Sequence, residues 1–241
     1  MSVSTGKSDR DPKKISAMFS SIAGKYDFLN ELLSFSKAGH WKTRLIKGAE
    51  LPERSLVLDL CTGSGDLALG FLTERPEFKG DVIGIDFSVP MIDRAREKVA
   101  ELGYPYPRRV EFLMGDALDL QFNDDKFDLV SIGFGVRNFA DTQGGVREMH
   151  RVLKPGGQLN VLEFFRDGVT FPPFKWYLDT VIPWLGNTIS ASKAYTYLRD
   201  SSNEFLSCPE FERMLESVGF REIKSERMTF GIAHIVRARK G

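Results

Sequence analysis

Two glycines within a run of small and polar residues mark the segment with the clearest capacity to bind a ligand. The run Asp59-Leu-Cys-Thr-Gly63-Ser64-Gly65-Asp66 follows the apolar stretch Leu56–Leu60 and precedes an apolar helical pattern. Glycine permits a sharp turn and close approach of a ligand to the main chain, and the first amides of a helix attract anionic groups. The pattern predicts a cofactor-binding loop between a buried strand and a helix.

The loop alone leaves two cofactor classes open. Gly63, Gly65 and Ala68 fit the relaxed dinucleotide fingerprint, and Asp86, 21 residues after Gly65, is placed to accept hydrogen bonds from ribose hydroxyls. Asp59, at the tip of the first strand, would repel a pyrophosphate but would hold an ammonium group or an ordered water near a cationic sulfonium. This charge favours S-adenosylmethionine over NAD.

Two further segments also favour S-adenosylmethionine over NAD. Asp116 and Ala117 follow the third apolar run, where a carboxylate can accept a hydrogen bond from the adenine amino group and a small side chain leaves room for the ring. The run Lys154-Pro-Gly-Gly157 precedes the fifth apolar run. Each feature also has a plain structural reading: Asp86 as the cap of the next helix, and Lys154–Gly157 as a helix stop. The prediction of an S-adenosylmethionine site therefore depends on the order of these features along the chain and not on any one of them.

Alternating apolar and helical patterns must position these residues. The predicted strands are Leu56–Leu60, Val82–Ile85, Val110–Met114, Phe127–Phe134 and Leu159–Phe165. The predicted crossover helices are Asp66–Thr73, Pro90–Leu102 and Gly144–Leu153. Short apolar runs are typical of parallel strands buried on both faces, and right-handed crossovers then predict a doubly wound α/β sheet.

The end of the chain predicts a helix, Phe211–Val218, and then an antiparallel hairpin, Glu222–Thr229 and Ile232–Arg237, with its turn at Gly231. The whole sheet is then mostly parallel and seven-stranded.

Two segments fall outside the alternation. Residues 12–50 carry apolar side chains at helical spacing and predict an N-terminal helical cover of two short helices. Residues 171–206 predict an insertion on the substrate side, rich in aromatic residues: Phe174, Trp176, Tyr177, Trp184, Tyr195 and Tyr197. At 241 residues, we expect residues 1–241 to form one domain.

Composition excludes several classes of function. Lys plus Arg and Asp plus Glu number 33 each, so no strong positive field favours nucleic acid as a partner. Cys61 and Cys208 lack CxxC spacing, and the histidines, cysteines and carboxylates show no metal-ligand spacing, so neither a disulfide framework nor a metal site is expected. The polar N-terminus and the absence of a long apolar stretch predict a cytoplasmic protein without a signal peptide.

Longer strings are far more specific than the glycine loop. They are Met18-Phe-Ser-Ser-Ile-Ala-Gly-Lys-Tyr26-Asp27, Phe134-Gly-Val-Arg137-Asn138, Glu148-Met-His-Arg-Val-Leu-Lys-Pro-Gly-Gly157, Leu162-Glu163-Phe164 and Tyr195-Thr-Tyr-Leu198. With them the chain resembles, from Met18 to Val236, the quinone C-methyltransferases of menaquinone and ubiquinone biosynthesis, a branch of the class I S-adenosylmethionine-dependent methyltransferases.

The resemblance implies a set of cofactor contacts. They fall on Ser64, Asp86, Asp116, Ala117 and Gly133, with the methionine end of the cofactor on the Gly63-Ser64-Gly65 backbone and Tyr26 closing over it. Ser64 stands where threonine is frequent, which keeps the hydroxyl. Gly133 stands where serine is often found, and this departure puts a side-chain contact there in doubt.

The implied reaction is methylation of a ring carbon of a prenylated hydroquinone: demethylmenaquinol first, and 2-polyprenyl-6-methoxy-1,4-benzoquinol as the alternative. A phenolic pKa of about 10 means that a base or a charge stabiliser must assist loss of the proton. Arg137 and Asn138, after the fourth strand, are the first candidates to stabilise a phenolate and orient a water. A structural ion pair is the alternative for Arg137. His40 is the second candidate, and a structural hydrogen bond suits it equally well.

A prenyl tail requires an apolar groove, which the aromatic residues of 171–206 would supply. The same residues suit core packing or a homodimer interface equally well. Any membrane contact would be peripheral. An NAD-dependent oxidoreductase and a noncatalytic cofactor-binding protein are the alternatives from other classes.

Overall fold

The computed structural model describes residues 37–168 and 201–241. The strands are β1 Leu56–Leu60, β2 Asp81–Asp86, β3 Val110–Met114, β4 Phe127–Gly133, β5 Leu153–Glu163, β6 Phe220–Met228 and β7 Ala233–Lys240. The helices are α1 Ala38–Lys47, α2 Asp66–Thr73, α3 Val89–Leu102, α4 Thr142–Val152 and α5 Cys208–Val218.

The seven strands form one sheet in the order β3-β2-β1-β4-β5-β7-β6. Strands β1 to β5 pair in parallel, whereas β7 pairs antiparallel with both β5 and β6. Val57, Leu58 and Leu60 of the interior strand β1 are fully buried, because apolar clusters cover both faces of the sheet. The predicted doubly wound, mostly parallel α/β fold with a terminal antiparallel hairpin is confirmed.

The run Lys154–Gly157 differs in part from its prediction. Helix α4 ends at Val152, as a helix stop requires, but the run itself lies within β5, which begins at Leu153 rather than at Leu159. Gly156 has a φ of +73°, and the pairing with β4 jumps from Phe127↔Leu153 to Leu129↔Gln158. The run is therefore a bulged start of the strand.

Helix α1 lies against the sheet and α2. Its Trp41, Leu45 and Ile46 are fully buried, since they occupy one face of the helix. The rest of the predicted N-terminal cover, before residue 37, lies outside the described residues, as do residues 171–200 of the predicted insertion. Within residues 37–168 and 201–241, no helix is both long and apolar enough to cross a membrane.

Candidate cofactor and active site

A cavity opens at the carboxyl ends of β1, β2, β3 and β4, where a doubly wound sheet presents its ligands. Its walls come from Cys61 and Gly63 after β1, Asp86 and Phe87 at the end of β2, residues 115–118 after β3, and residues 133–135 and 138–140 after β4. The empty space between these walls is about 960 Å³, counting the solvent at its mouth.

The two glycines of the loop have different tasks. Gly65 has a φ of +84°, and an added Cβ would lie 2.8 Å from Cζ of Phe112 and 3.1 Å from Cβ of Ala95, so glycine is needed there for packing. Gly63 has a φ of +55° and lines the cavity, and a Cβ there would meet no protein atom within 4 Å. Gly63 thus leaves its main chain open to a ligand.

Asp59 lies behind this loop and does not line the cavity. It is fully buried, and its carboxylate accepts hydrogen bonds of 2.6 Å from the hydroxyls of both Thr62 and Ser131. Burial raises the pKa of Asp59 to about 6, although these two hydroxyls and Lys42 oppose the shift. The structure therefore places Asp59 as a brace between the glycine loop and β4.

Asp86 connects the end of β2 to the glycine loop. Its Oδ2 accepts from the Gly63 amide and its Oδ1 from the Ser88 amide, both at 2.9 Å. Burial raises the pKa of Asp86, although these amides favour the ionised form. A carboxylate oxygen can accept more than one hydrogen bond, so Asp86, which lines the cavity, retains acceptor capacity for ribose hydroxyls.

Asp116, Ala117 and Gly133 also line the cavity. Asp116 is exposed, and its Oδ1 accepts from the Leu118 amide at 2.9 Å, which fixes the carboxylate at the rim. A Cβ on Gly133 would lie 2.8 Å from Cδ1 of Leu67. A serine at this position would therefore require Leu67 to move.

Ser64 is buried and faces a charged cluster rather than the cavity lining. Lys98 Nζ donates to Ser64 Oγ and to Asp66 Oδ1, each at 2.8 Å, and Lys42 Nζ donates to Asp66 Oδ2 at 2.6 Å. Burial would raise the pKa of Asp66, but the two lysines outweigh it and lower that pKa far below its ordinary value. The cluster ties α1, α2 and α3 together beside the loop.

The structure separates the two predicted catalytic neighbours. Asn138 lines the cavity, and its Nδ2 donates to the Phe134 carbonyl at 3.3 Å. Arg137 does not line it: the guanidinium is buried and donates at 2.7 Å to Glu163 Oε1 and to the same Phe134 carbonyl. Its Nε lies 3.4 Å from Ser201 Oγ.

Glu163 is the residue beside the site to which the sequence assigned no role. It is fully buried at the end of β5 and accepts from the Arg137 guanidinium, from the Arg137 amide at 3.2 Å and from the Phe164 amide at 2.8 Å. It therefore holds the loop after β4 in place. The available signal was the one carboxylate in the predicted strand Leu159–Phe165.

His40, Tyr26 and Cys61 remain to be placed. His40 is exposed on α1 and is not part of the cavity lining, and Tyr26 lies outside the described residues. Cys61 does line the cavity, but burial, reinforced by Asp86 and Asp59, raises its pKa well above the ordinary value, so the thiol stays protonated. Within residues 37–168 and 201–241, no group of His, Cys, Asp and Glu could hold a metal ion.

Solved structures share this architecture. An S-adenosylmethionine-dependent methyltransferase from Thermotoga maritima superposes with a TM-score of 0.65 at 19% identity, over 93% of this chain and 99% of that chain. The [4+2]-cyclase SpnF superposes with a TM-score of 0.64 at 18% identity, over 84% of this chain and 80% of its own. These likenesses show the fold, which different activities share.

Sequence relatives are more specific. A ubiquinone/menaquinone biosynthesis C-methyltransferase UbiE from Geobacter sulfurreducens is 42% identical over 95% of this chain and 89% of that protein. A demethylmenaquinone methyltransferase from Thermus thermophilus is 41% identical over 90% of this chain and 97% of that protein. The sequence model of one family matches residues 7–240. The resemblance seen in the sequence is thereby confirmed, and the chain belongs to the ubiE/COQ5 methyltransferase family.

Proposed function

We propose that this enzyme transfers a methyl group from S-adenosylmethionine to a ring carbon of a prenylated hydroquinone, converting demethylmenaquinol to menaquinol. The observation that carries the proposal is that one cavity is lined both by the cofactor candidates Gly63, Asp86 and Asp116 and by the acceptor-side candidate Asn138. Donor and acceptor groups can therefore meet in a single space, as an in-line transfer requires.

The residues present fit the cofactor. Gly63 leaves open space where a side chain would stand, Asp86 retains acceptor capacity for ribose hydroxyls, and Asp116 with Ala117 is proposed to flank the adenine. When bound, S-adenosylmethionine supplies an electrophilic methyl group on a cationic sulfonium. Asp59 and Ser64 support the loop from behind through their hydrogen bonds to Thr62 and Lys98.

On the acceptor side, Arg137 and Asn138 are proposed to act together in different ways. Asn138 contacts the hydroquinol oxygen or a water that accepts its proton, since its amide lies at the cavity wall. Arg137 is a positioning residue: its guanidinium and the Asn138 amide donate to the same Phe134 carbonyl. His40 is the second candidate for the proton acceptor, and its exposure on α1 gives it less support.

The alternative acceptor is 2-polyprenyl-6-methoxy-1,4-benzoquinol, since relatives bear names from both pathways. The test is transfer of a labelled methyl group from S-adenosylmethionine to each reduced quinol. We expect product from demethylmenaquinol, and about a hundredfold less with Asp86→Ala, because charged hydrogen bonds to the ribose are lost.

The matched control is Asp119→Ala, which removes an exposed carboxylate near the cavity without touching its lining. It should behave as wild type. Product from the benzoquinol alone would instead assign the enzyme to ubiquinone biosynthesis. Calorimetry showing binding of NAD without S-adenosylmethionine would instead support the oxidoreductase alternative.

A prenylated acceptor resides in a membrane, so we also propose that the enzyme contacts the bilayer peripherally while remaining in the cytoplasm. A homodimer stays a prediction from the sequence, to be checked by light scattering.

A further inference from the structure

Helix α1 presents positively charged side chains on the side that faces solvent. Its Trp41, Leu45 and Ile46 are fully buried in the apolar cluster on one face of the sheet. The exposed side chains of the helix and its N-cap are all basic: Lys37, His40, Arg44 and Lys47. No acidic residue occurs from Lys37 to Lys47, so no carboxylate of the helix itself offsets these charges. The helix is therefore amphipathic, with an apolar inner face and a positive outer face.

Lys224 of β6 extends the positive surface beyond α1. It pairs with Arg237 of β7, and directly opposed residues of antiparallel strands point to the same face of a sheet. That face is the one that α1 covers, because the Arg237 guanidinium donates to the Arg44 carbonyl at 3.2 Å. Arg44 and Arg237 both bind the carboxylate of Glu226, at 2.9 and 3.2 Å, so one negative charge offsets two positive charges there.

Three lysines of this region keep their full charge. Lys37, Lys47 and Lys224 are exposed, and among residues 37–168 and 201–241 no carboxylate forms an ion pair with any of them. Together with Arg44 they are called the α1 surface below. Because their charges are not neutralised by the protein, they are available to an external anionic partner.

Helix α5 covers the opposite face of the same end of the sheet and carries the opposite charge. Phe211 and Leu215 of α5 belong to the apolar cluster on that face. The helix contains one cation and three carboxylates: Arg213, Glu210, Glu212 and Glu216. The whole chain has a formal net charge of zero, so the positive surface reflects segregation of charge between the two faces and not an excess of basic residues. An anionic surface would therefore bind this end of the protein through α1.

Observed contacts join α1 to the cavity. Trp41 packs against Phe134, which lines the cavity, and against Phe164, at centroid distances of 6.4 and 6.1 Å. Phe134 and Phe164 stack on each other at 4.6 Å. The same helix thus supports the cavity wall with its inner face and presents cations with its outer face. A partner bound to the outer face would lie about 10 Å from that wall, the thickness of one helix.

We propose that the α1 surface docks the enzyme on a bilayer that contains anionic phospholipids. The inference names the face that makes the peripheral contact proposed above, and it rests on the proposed function, because a prenylated acceptor is reached at a membrane. Basic side chains on an amphipathic helix attract anionic headgroups without inserting into the lipid. Insertion is not needed here, since the apolar face of α1 already packs against the protein core. Docking in this orientation brings the cavity wall close to the lipid that carries the acceptor.

The experiment measures cosedimentation of the full chain with vesicles of phosphatidylcholine, with or without about 30% phosphatidylglycerol. The test variant combines Lys37→Gln, Lys47→Gln and Lys224→Gln. Its affinity for the anionic vesicles should fall about fivefold for each lysine, or about a hundredfold in all. Binding of the wild type should weaken when salt rises from about 50 to about 500 mM, since the Debye length then falls to about 4 Å.

The matched control removes three exposed arginines from the opposite face: Arg147→Gln, Arg213→Gln and Arg227→Gln. It changes the net charge by the same amount and should bind anionic vesicles as the wild type does. Methyl transfer supplies a second readout. With demethylmenaquinol carried in anionic vesicles, the lysine variant should show a higher KM. With a tail-less naphthoquinol in solution, its kcat and KM should equal those of the wild type, as should its Tm.

Other outcomes would overturn the inference. Equal binding of the wild type to both kinds of vesicle would show that headgroup charge is not recognised. An equal loss in the lysine variant and the arginine control would show that net charge acts, and not the α1 surface. Capture of duplex DNA by the wild type, without binding to either vesicle, would assign the surface to nucleic acid. If the lysine variant alone loses vesicle binding but the wild type methylates no quinol, the docking surface stands and the proposed function fails.

Discussion

The proposed cofactor half of the cavity, lined by Gly63, Asp86, Asp116 and Ala117, and the proposed acceptor half, lined by Asn138, are held in place by different means. The loop after β1 is fixed by hydrogen bonds from backbone amides and short side chains. The Gly63 amide donates to Asp86, and Asp59 accepts from the Thr62 hydroxyl three residues away. After β4, the loop carrying Asn138 depends on a buried ion pair, Arg137 with Glu163, whose partners are 26 residues apart.

This difference predicts how strongly a single substitution in each half will destabilise the protein. Removing one partner of a buried hydrogen bond between uncharged or singly charged groups costs about 1–3 kcal/mol of stability. A buried ion pair is asymmetric: removing one partner leaves an uncompensated charge. The acceptor half should therefore be the more vulnerable to a single substitution, and the cofactor half the more tolerant.

The largest expected effect comes from Glu163→Ala. The Arg137 guanidinium would remain buried without its carboxylate, so we expect a loss of about 3–5 kcal/mol in the free energy of unfolding, measured by urea denaturation. The double variant Arg137→Met with Glu163→Leu removes both charges and should recover most of that loss without recovering methyl transfer. A single variant as stable as wild type would contradict the proposed weakness of the acceptor half.

The next effect is a pH dependence in the cofactor half. The pKa of Asp59 is about 6 when folded and about 3.9 when unfolded, so the folded protein binds the extra proton between these values. The contribution of Asp59 to stability is therefore fully present below pH 4 and is lost as the pH rises through 6. Its size is about 3 kcal/mol, from a shift of about two pKa units.

Asp59→Asn should abolish this dependence. Unfolding of wild type and variant is measured from pH 4 to pH 7.5, and the free energy of the variant relative to wild type should increase with pH. A difference that stays constant across this range would mean that Asp59 titrates normally. The exposed Asp119→Asn is the matched control, and it should follow wild type at every pH.

The two halves also differ in how far the sequence predicts them. Strands β1 and β3 and helix α2 have the predicted bounds. Gly63, Asp86, Asp116 and Ala117 line the cavity, because loop and strand end follow one another along the chain, and so does Gly133, which only the family resemblance indicated. The predicted contacts Asp59 and Ser64 do not line it. Features that follow one another along the chain can be recognised from the sequence alone.

The acceptor half could not be predicted in the same way. Arg137 and Asn138 are neighbours in sequence, yet the turn Val136–Asn138 sends one side chain to Glu163 and the other to the cavity. The pairing of Arg137 with Glu163 arises from two parallel strands ending side by side, which spacing along the chain does not reveal. The bulged start of β5 was hidden for a related reason, since a proline and two glycines also suit a helix stop.

The two loop glycines give a smaller and sharper contrast within the cofactor half. Gly65→Ala should cost about 2 kcal/mol of stability, because its Cβ would press on Phe112 and Ala95 from a left-handed backbone. Gly63→Ala should cost only about 1 kcal/mol of stability, from its left-handed backbone alone. It should nevertheless weaken S-adenosylmethionine binding more than Gly65→Ala does, since its Cβ would stand in the open space of the cavity. Thermal unfolding measures the effect on stability, and calorimetry measures the effect on S-adenosylmethionine binding. Equal effects of both variants on binding would show that the two glycines do not have distinct roles.

The smallest expected effect is that of His40→Gln. His40 is exposed on α1 and contributes nothing to the cavity lining, so stability should change by less than about 0.5 kcal/mol and kcat by less than about twofold between pH 6 and 8. Asn138→Ala, measured beside it, should lower kcat, because its amide reaches the cavity from a loop that Arg137 and Glu163 hold. A large loss of kcat in His40→Gln would instead make His40 the proton acceptor and extend the acceptor half to α1.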